Sequence, residues 1–536
     1  MKRKVRLAAI VAVCIAAGVT MVNRASAQGL DAVMDEATAR AMLARFGFGA
    51  TPATLSATMA LTPRQYIERA INAGSALPPS VVDTLRALPL APADETWTRL
   101  GPGGSARERR PDPDQLKLLQ QEERRYLNAA VQARLLAMAN SDNPAHEALL
   151  AFWLNHFSIY AQKGPGKLLA GDYVQSIERA MRTDSFEALL RASFFSPAMQ
   201  VYLDNTQSTA PDSTLARFAA ERGRTLGINE NLARELLELH TLGVDGGYTQ
   251  SDVQELARII TGAGIYAPRM QERNLERAGA TRMGLFLFDP RRHDYGEKIF
   301  LGQRFPAGEG MAEIDRALRL LALHPATARH VAYKLAQRFL SDDPPPALVE
   351  AMARGFLAGN GSISATLWPL LQSREFERSL RQPGKFKEPV DFVLSAARAA
   401  CGDQPVANAA LLAAALLDMG EAPLMHTTPD GYGARESDWL SSAAMAKRVR
   451  LAMGVAAGRV PLAADGVAAG QAMGDPGMNP AERRRRLLQG PACSIDAAST
   501  ERLVGPVSNT TLAAAAALSQ KERVALLLAS PEFMRR

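Results

Sequence analysis

Apolar residues recur at three- and four-residue spacing along most of the chain, the period of helices that bury one face. The pattern predicts a first helix near Glu36–Phe46, closed by Gly47 and Gly49. A second runs from Pro63 to about Ala73, with proline in the first turn, where its missing N–H costs nothing. A long helix follows from Asp114 to about Asn140, then one from Pro144 that carries Phe152, Trp153, His156 and Phe157. Further helices are expected over Leu168–Arg182, Phe186–Phe194 and Asn231–Leu242 and, after a Gly-rich turn, up to Thr261. Thr98–Pro113 holds Gly-Pro-Gly-Gly, a charged run and Pro-Asp-Pro, and reads as an exposed linker; Asp204–Asp212 reads as a polar loop. One β signal interrupts the helices. Met283–Phe288 and Lys298–Phe305 flank a turn-rich stretch, the pattern of a hairpin with a long tip. Helices resume at Met311, and Lys385–Cys401 opens a second lobe. The expected fold is mainly α, a multi-helix globular fold with one small inserted β-hairpin at about 283–305.

The first residues change the reading of charge. Lys2, Arg3, Lys4 and Arg6 precede an apolar run from Leu7 to Val22, too short for a typical spanning helix, and Ala25-Ser26-Ala27 then offers a small-residue cleavage site. This is the layout of a secretory signal peptide over residues 1–27, followed by a main helical domain over 28–383 and a C-terminal helical lobe over 384–536. The protein is therefore expected to be exported, periplasmic or extracellular, without a stable transmembrane anchor. The whole chain has 62 Lys+Arg against 55 Asp+Glu, a formal charge of +7. Cleavage removes Lys2, Arg3, Lys4, Arg6 and Arg24 and no acids, so 7 − 5 leaves +2. Such a balance, with no basic stripe interleaved with aromatics, argues against nucleic acid as partner. Cleavage also removes Cys14, leaving Cys401 and Cys493, which in an exported chain are expected to form one disulfide.

Several constellations bear on chemistry. Asn229–Gly243 contains Glu235, Glu238 and His240 in a Glu-x-x-Glu-x-His pattern that invites a metal reading. On a regular helix, however, Glu235 and His240 lie about 140° apart and cannot grip one ion. Instead Asn231, Arg234, Glu235 and Glu238 share a polar stripe, with an Arg234–Glu238 pair, while Leu232, Ala233, Leu236 and His240 face the apolar side. Asp245–Asp252 lacks the early ligands of a calcium loop and reads as a turn, with Thr249 as N-cap and Asp252 in the first turn. His293-Asp294 at the hairpin tip is a candidate base or ligand, and His156 falls on an apolar face. His324 and His330 flank a helix start and read as structural. Nucleophile-elbow, phosphate-loop, dinucleotide and His-Glu-x-x-His motifs are absent from the sequence.

Taken together, Ala41–Gly49, Phe152-Trp153-Leu154-Asn155-His156-Phe157, Tyr202-Leu203-Asp204-Asn205, Asn229–Gly243, His293–Lys298, His324–Arg329, Lys387-Glu388-Pro389-Val390 and Pro429-Asp430-Gly431-Tyr432 carry a resemblance. The chain resembles the bacterial exported family called domain of unknown function 1800, from about Ala37 to Phe533. The resemblance supplies no reaction. It implies a possible partner, an exported protein of the domain of unknown function 1501 family, which is similar to sulfatases.

Two functional readings result. The first is an exported hydrolase-like enzyme of the cell envelope, with His293, Asp294, Arg234, Glu235 and Lys298 as catalytic candidates. In its metal-assisted form, His156, His240 and His293 would gather around a divalent ion such as Zn²⁺ and activate water. The second is a non-catalytic envelope binding or assembly protein that works with the sulfatase-like partner.

Overall fold

The computed structural model describes residues 29–108, 112–382, 384–463, 478–493 and 496–536. The expected signal peptide over residues 1–27, with Cys14, lies outside the described residues. The chain is mainly helical, as its periodicity predicts. The elements that position the site are α1 (Glu36–Arg45), α2 (Pro113–Asn140), α3 (Pro144–His156), α4 (Gly166–Met181), α5 (Asn231–Glu235) and α6 (Gln250–Ile259). After a β region come α7 (Met311–Ala322), α8 (Pro325–Phe339), α9 (Pro389–Cys401), α10 (Ala409–Met419), α11 (Ser442–Ala456) and α12 (Gln520–Ala529). Local chemistry sets many of these starts. Asp35 accepts from Thr38 N at the head of α1, and Thr249 and Asp252 form a reciprocal capping box at the head of α6. Proline occupies the first turn of α2, α3, α8 and α9.

The structure corrects three expectations. Met283–Phe288 and Lys298–Phe305 do not pair with each other. Strand β3 (Phe286–Phe288) lies between β1 (Ala263–Ile265) and β2 (Thr281–Met283), both antiparallel to it. Separately, β4 (Lys298–Phe300) and β5 (Gln303–Phe305) form a tight hairpin. Leu301 and Gly302 both take positive φ, which gives the two-residue turn that matches strand twist. Asp252 also accepts from Leu301 N and Glu255 from Ile299 N, so α6 holds this hairpin. The supposed linker is packed in its first part: Asp94–Leu100 is helical, Leu100 is fully buried, and Trp97 donates to Tyr266 O at 3.1 Å. An apolar pair three residues apart docks a segment whose glycines and charges suggested exposure. Finally, the expected regular helix to Leu242 changes to π-helical bonding over Leu236–His240. This i→i+5 pattern is concentrated at functional sites and stacks residues that a regular helix separates.

The largest apolar cluster gathers α1, α3, α4, the 231–242 segment and α8, with Phe46 stacked on Phe339 at 4.4 Å. A second cluster takes α9, α10 and α12, and adds Leu135 and Leu136 of α2. Every residue of α9 is buried, so its polar side chains must find partners inside the protein. Asp391 receives a bidentate pair from Arg338 of α8, at 2.8 and 2.9 Å, and lies 3.0 Å from Arg536 Nε. Arg338 also donates to Glu388 at 2.7 Å. Burial pushes the Asp391 carboxyl up, but Arg338 and Arg536 overcome this and hold it at about 2. Arg398 donates to Gly49 O, Ala139 O and Thr54 Oγ1.

Cys401, at the end of α9, is bonded to Cys493 with Cα atoms 4.8 Å apart, as the cysteine count predicts. The bridge spans 92 residues, a loop length at which chain entropy alone contributes about 4–5 kcal/mol. Thiol labelling of the processed protein under denaturing, non-reducing conditions should therefore find no free thiol. Two free thiols per chain would contradict the bridge.

Candidate functional site

The structure divides the sequence-predicted catalytic residues into two groups. His293, Asp294 and Lys298 do come together, in a closed network. His293 Nδ1 donates to Thr261 O at 2.7 Å, and Nε2 lies 2.6 Å from Glu313 Oε1. Lys298 Nζ donates to the same Glu313 oxygen at 2.6 Å and to Asp294 O. Asp294 accepts from Arg258 at 2.8 Å; burial raises its carboxyl, and Arg258 more than offsets this, so it is held below the ordinary range. His293, Lys298 and Glu313 are each 1–2% exposed. The arrangement fastens the β region to α7, and a solvent-borne substrate has no approach to these three side chains. Of the three candidates, His293 and Lys298 are thus buried in this network, whereas the Asp294 side chain keeps 18% of its surface exposed.

Arg234 and Glu235 lie elsewhere, on the partly exposed face of the 231–240 segment. Arg234 pairs with Glu230 at 3.3 Å and, as expected, with Glu238 at 3.5 Å. Burial and the nearby carboxylates Glu238 and Asp430 raise the Glu235 carboxyl above its ordinary range. The same surroundings push up two phenols, Tyr202 by burial with Glu235 and Asp430, and Tyr248, to about 12, by burial with a hydrogen bond to Glu238.

His156 and His240 are neighbours, with ring centroids 6.4 Å apart, but their third companion is His330, 6.0 Å from His156. His293 sits instead against Phe288 and Tyr295. The proposed His156–His240–His293 metal set therefore does not assemble. Among the described residues, no group of three or more His, Cys, Asp or Glu side chains is placed to hold a metal ion. His156 Nε2 donates to His240 O and His330 Nε2 to Leu239 O, both at 3.1 Å, so two imidazoles satisfy carbonyls at the π-helical turn. Thr241 Oγ1 donates to Leu236 O at 2.5 Å and completes that turn. Gly243 has φ +87°, and a Cβ there would sit 2.9 Å from His330 Nδ1. Neither ring nitrogen of His240 has a hydrogen-bond partner among the described residues.

Beside this core lies a cleft of about 110 Å³, walled by α2, α3 and α8 on one side and by residues 388–434 on the other. Asn155, next to His156, holds the far wall: its Nδ2 donates to Tyr432 O at 2.9 Å, and its Oδ1 accepts from Tyr432 N at 2.7 Å. Gly431 is required at this contact, since a Cβ there would sit 2.3 Å from Asn155 O. Tyr432 Oη donates to Ala422 O at 2.7 Å, and its ring packs on His426 at 4.5 Å. The cleft is lined by Lys334, Arg338, Glu388 and Glu421. Burial lowers the Lys334 ammonium pKa, and burial with the Glu388 charge raises Glu421 well above the carboxylate range. Sequence reasoning missed Lys334 and Glu421. Lys334 did leave a signal: His330, Lys334 and Arg338 recur at four-residue spacing, a polar stripe along an otherwise apolar helix.

Burial holds all three core histidines neutral, with His156 well below its ordinary value, His240 at about 3 and His330 at about 4. The unfolded chain takes up these protons near the ordinary histidine value of 6.5. Below it, the unfolded state binds more protons, so stability must fall as pH drops from about 6.5 toward 4, by up to about 1.4 kcal/mol per pH unit for each histidine. Thermal melts of wild type, His240→Leu and His330→Leu across that window should show a shallower decline in each variant. Parallel curves would contradict neutral burial.

Comparison with curated proteins and with solved structures returns no match. A family model described as protein of unknown function (DUF1800) matches residues 41–535, a span that includes the histidine core and both walls of the cleft. The chain belongs to this family.

Proposed function

We propose that the protein is an exported, hydrolase-like enzyme of the cell envelope. Its site would be the cleft between the 28–383 body and the 384–536 lobe. The observation that carries this reading is the raised Glu235 carboxyl, set among Glu238, Asp430, Tyr202 and Tyr248 beside the cleft. A carboxyl raised by burial and neighbouring carboxylates is suited to donate a proton, and an exposed carboxylate nearby can accept one. Glu235, kept protonated to higher pH, is the general acid. Asp430, whose side chain is 63% exposed, is the carboxylate open to an attacking water. Asp430 also links the two parts of the site, since it lies 3.8 Å from cleft-lining His426 and acts on Lys334.

Export is supported by the disulfide, which persists in oxidising compartments. Among the described residues no helix is long and apolar enough to cross a membrane.

The test is a panel of chromogenic esters, amides, glycosides, phosphates and sulfates, offered to the processed protein. Turnover of at least one class is expected. Its rate should fall as pH rises through the Glu235 pKa, and Glu235→Gln should lower kcat by about 100-fold or more with an unchanged melting temperature. Turnover of no class, or full activity in Glu235→Gln, would refute the enzyme reading and favour a binding role beside the sulfatase-like exported family.

A further inference from the structure

Lys334 is the one cleft-lining cation whose charge the structure does not use. It is partly buried on α8, and among the described residues no hydrogen bond or ion pair reaches its ammonium. The other cations of the cleft are neutralised. Arg134 pairs with Glu147 at 2.5 Å, and Arg338 pairs with Glu388 at 2.7 Å and Asp391 at 2.8 Å. Of the carboxyls, Glu388 is thereby committed, and burial with the Glu388 charge raises the Glu421 carboxyl well above its ordinary range. Glu421 already accepts from Val390 N through Oε2 at 2.7 Å. Ser158, 5% exposed and also on the cleft wall, carries a hydroxyl without a partner among the described residues. An ammonium and a hydroxyl thus belong to residues that both line the cleft, and neither has a hydrogen-bond or ion-pair partner among the described residues.

We propose that Lys334 and Ser158 form the receptor for a singly charged oxyanion of the substrate, a carboxylate or a sulfate monoester. Lys334 has no direct ion pair in this half-buried cleft, and only Asp430 and Glu388, at longer range, act on its charge, which leaves a place for one negative charge in contact with it. A monoanion neutralises it, whereas a dianion would bring a second charge into low dielectric without a partner. Charge-assisted hydrogen bonds from ammonium and hydroxyl to oxygen anions are the strong kind. About 110 Å³ is the room of three or four waters, so the cleft takes the anionic head group while the rest of the molecule stays outside. Asp430, at the exposed edge, acts on the ammonium without pairing with it directly and would repel anions outside the cleft. The inference rests on the enzyme reading only in calling the ligand a substrate.

Binding is measured on the full processed protein by calorimetry at constant ionic strength and neutral pH, with acetate, methyl sulfate and inorganic phosphate as probes. Saturable binding of acetate or methyl sulfate is expected, and the tighter of the two identifies the source. Phosphate should bind at least tenfold more weakly. Lys334→Met should weaken the favoured probe at least tenfold, Lys334→Arg should stay within about threefold, and Ser158→Ala should fall between. Equal binding by Lys334→Met, preference for phosphate, or no binding of any probe to wild type would overturn the proposal. Glu235→Gln separates the two ideas, since it should keep anion binding while losing turnover. Anion binding that depends on Lys334, in a protein that turns over no substrate class, would sink the enzyme reading and leave the receptor standing.

Discussion

A buried guanidinium–carboxylate pair, Arg338 of α8 with Asp391 of α9, is the constraint on which the rest of the molecule depends. Helix α9 is enclosed on every side, and a carboxylate inside it is tolerable only if it meets a partner of opposite charge with good geometry. Arg338 supplies that geometry bidentately, and Arg536 closes the other side. Arg536 in turn donates to Arg45 O and Arg338 O, so α1, α8 and α9 meet at one charged knot. Hydrophobic burial provides the gross driving force for this assembly, but it is non-directional. The knot sets how the 384–536 segment sits on the body.

That placement creates the cleft. Once Arg338 is committed to Asp391 and Glu388, the next polar residue on the α8 stripe, Lys334, lines the cleft without a direct ion pair among the described residues, and Asp430 and Glu388 act on it only at longer range. Glu388 serves both purposes, pairing with Arg338 while its charge adds to burial in raising the Glu421 carboxyl. From the same wall as Lys334, Asn155 of α3 bonds the backbone of Tyr432 across the cleft and fixes the approach of the 422–434 loop. Beneath it, His156 and His330 use their protons on carbonyls of the π-helical turn. The histidines thus hold the scaffold that presents Glu235 and Glu238. In the proposed reading, the chemistry would fall to the carboxylates that this scaffold presents and to Lys334 in the cleft.

Much of the architecture was readable from local rules. Helix starts at Pro63, Pro144 and Thr249 follow capping chemistry that acts within one turn. The Arg234–Glu238 pair, the inward face of His240 and the Cys401–Cys493 bridge follow from spacing and cysteine count. The misses share a non-local cause. Strand β1, Ala-Gly-Ile, is three residues long and shows no alternation, so its claim on β3 was invisible, and two strand runs were paired with each other instead. The π-helical turn depends on carbonyl partners from α3 and α8, so a regular helix was the wrong frame for Glu235 and His240. His293 carries the marks of a catalytic residue, a neighbouring carboxylate and a loop position. What local sequence could not show is its buried contact with Glu313, twenty residues on.

The central claim is that the Arg338–Asp391 pair docks the 384–536 segment and thereby builds the cleft. A double-mutant cycle on unfolding free energy, with Arg338→Met, Asp391→Leu and the double variant, tests it most directly. Each single change should cost about 3–5 kcal/mol, because it strands a buried charge, and the double change should recover most of that loss. Singles that cost less than about 1 kcal/mol, or that add within about 0.5 kcal/mol, would contradict the account.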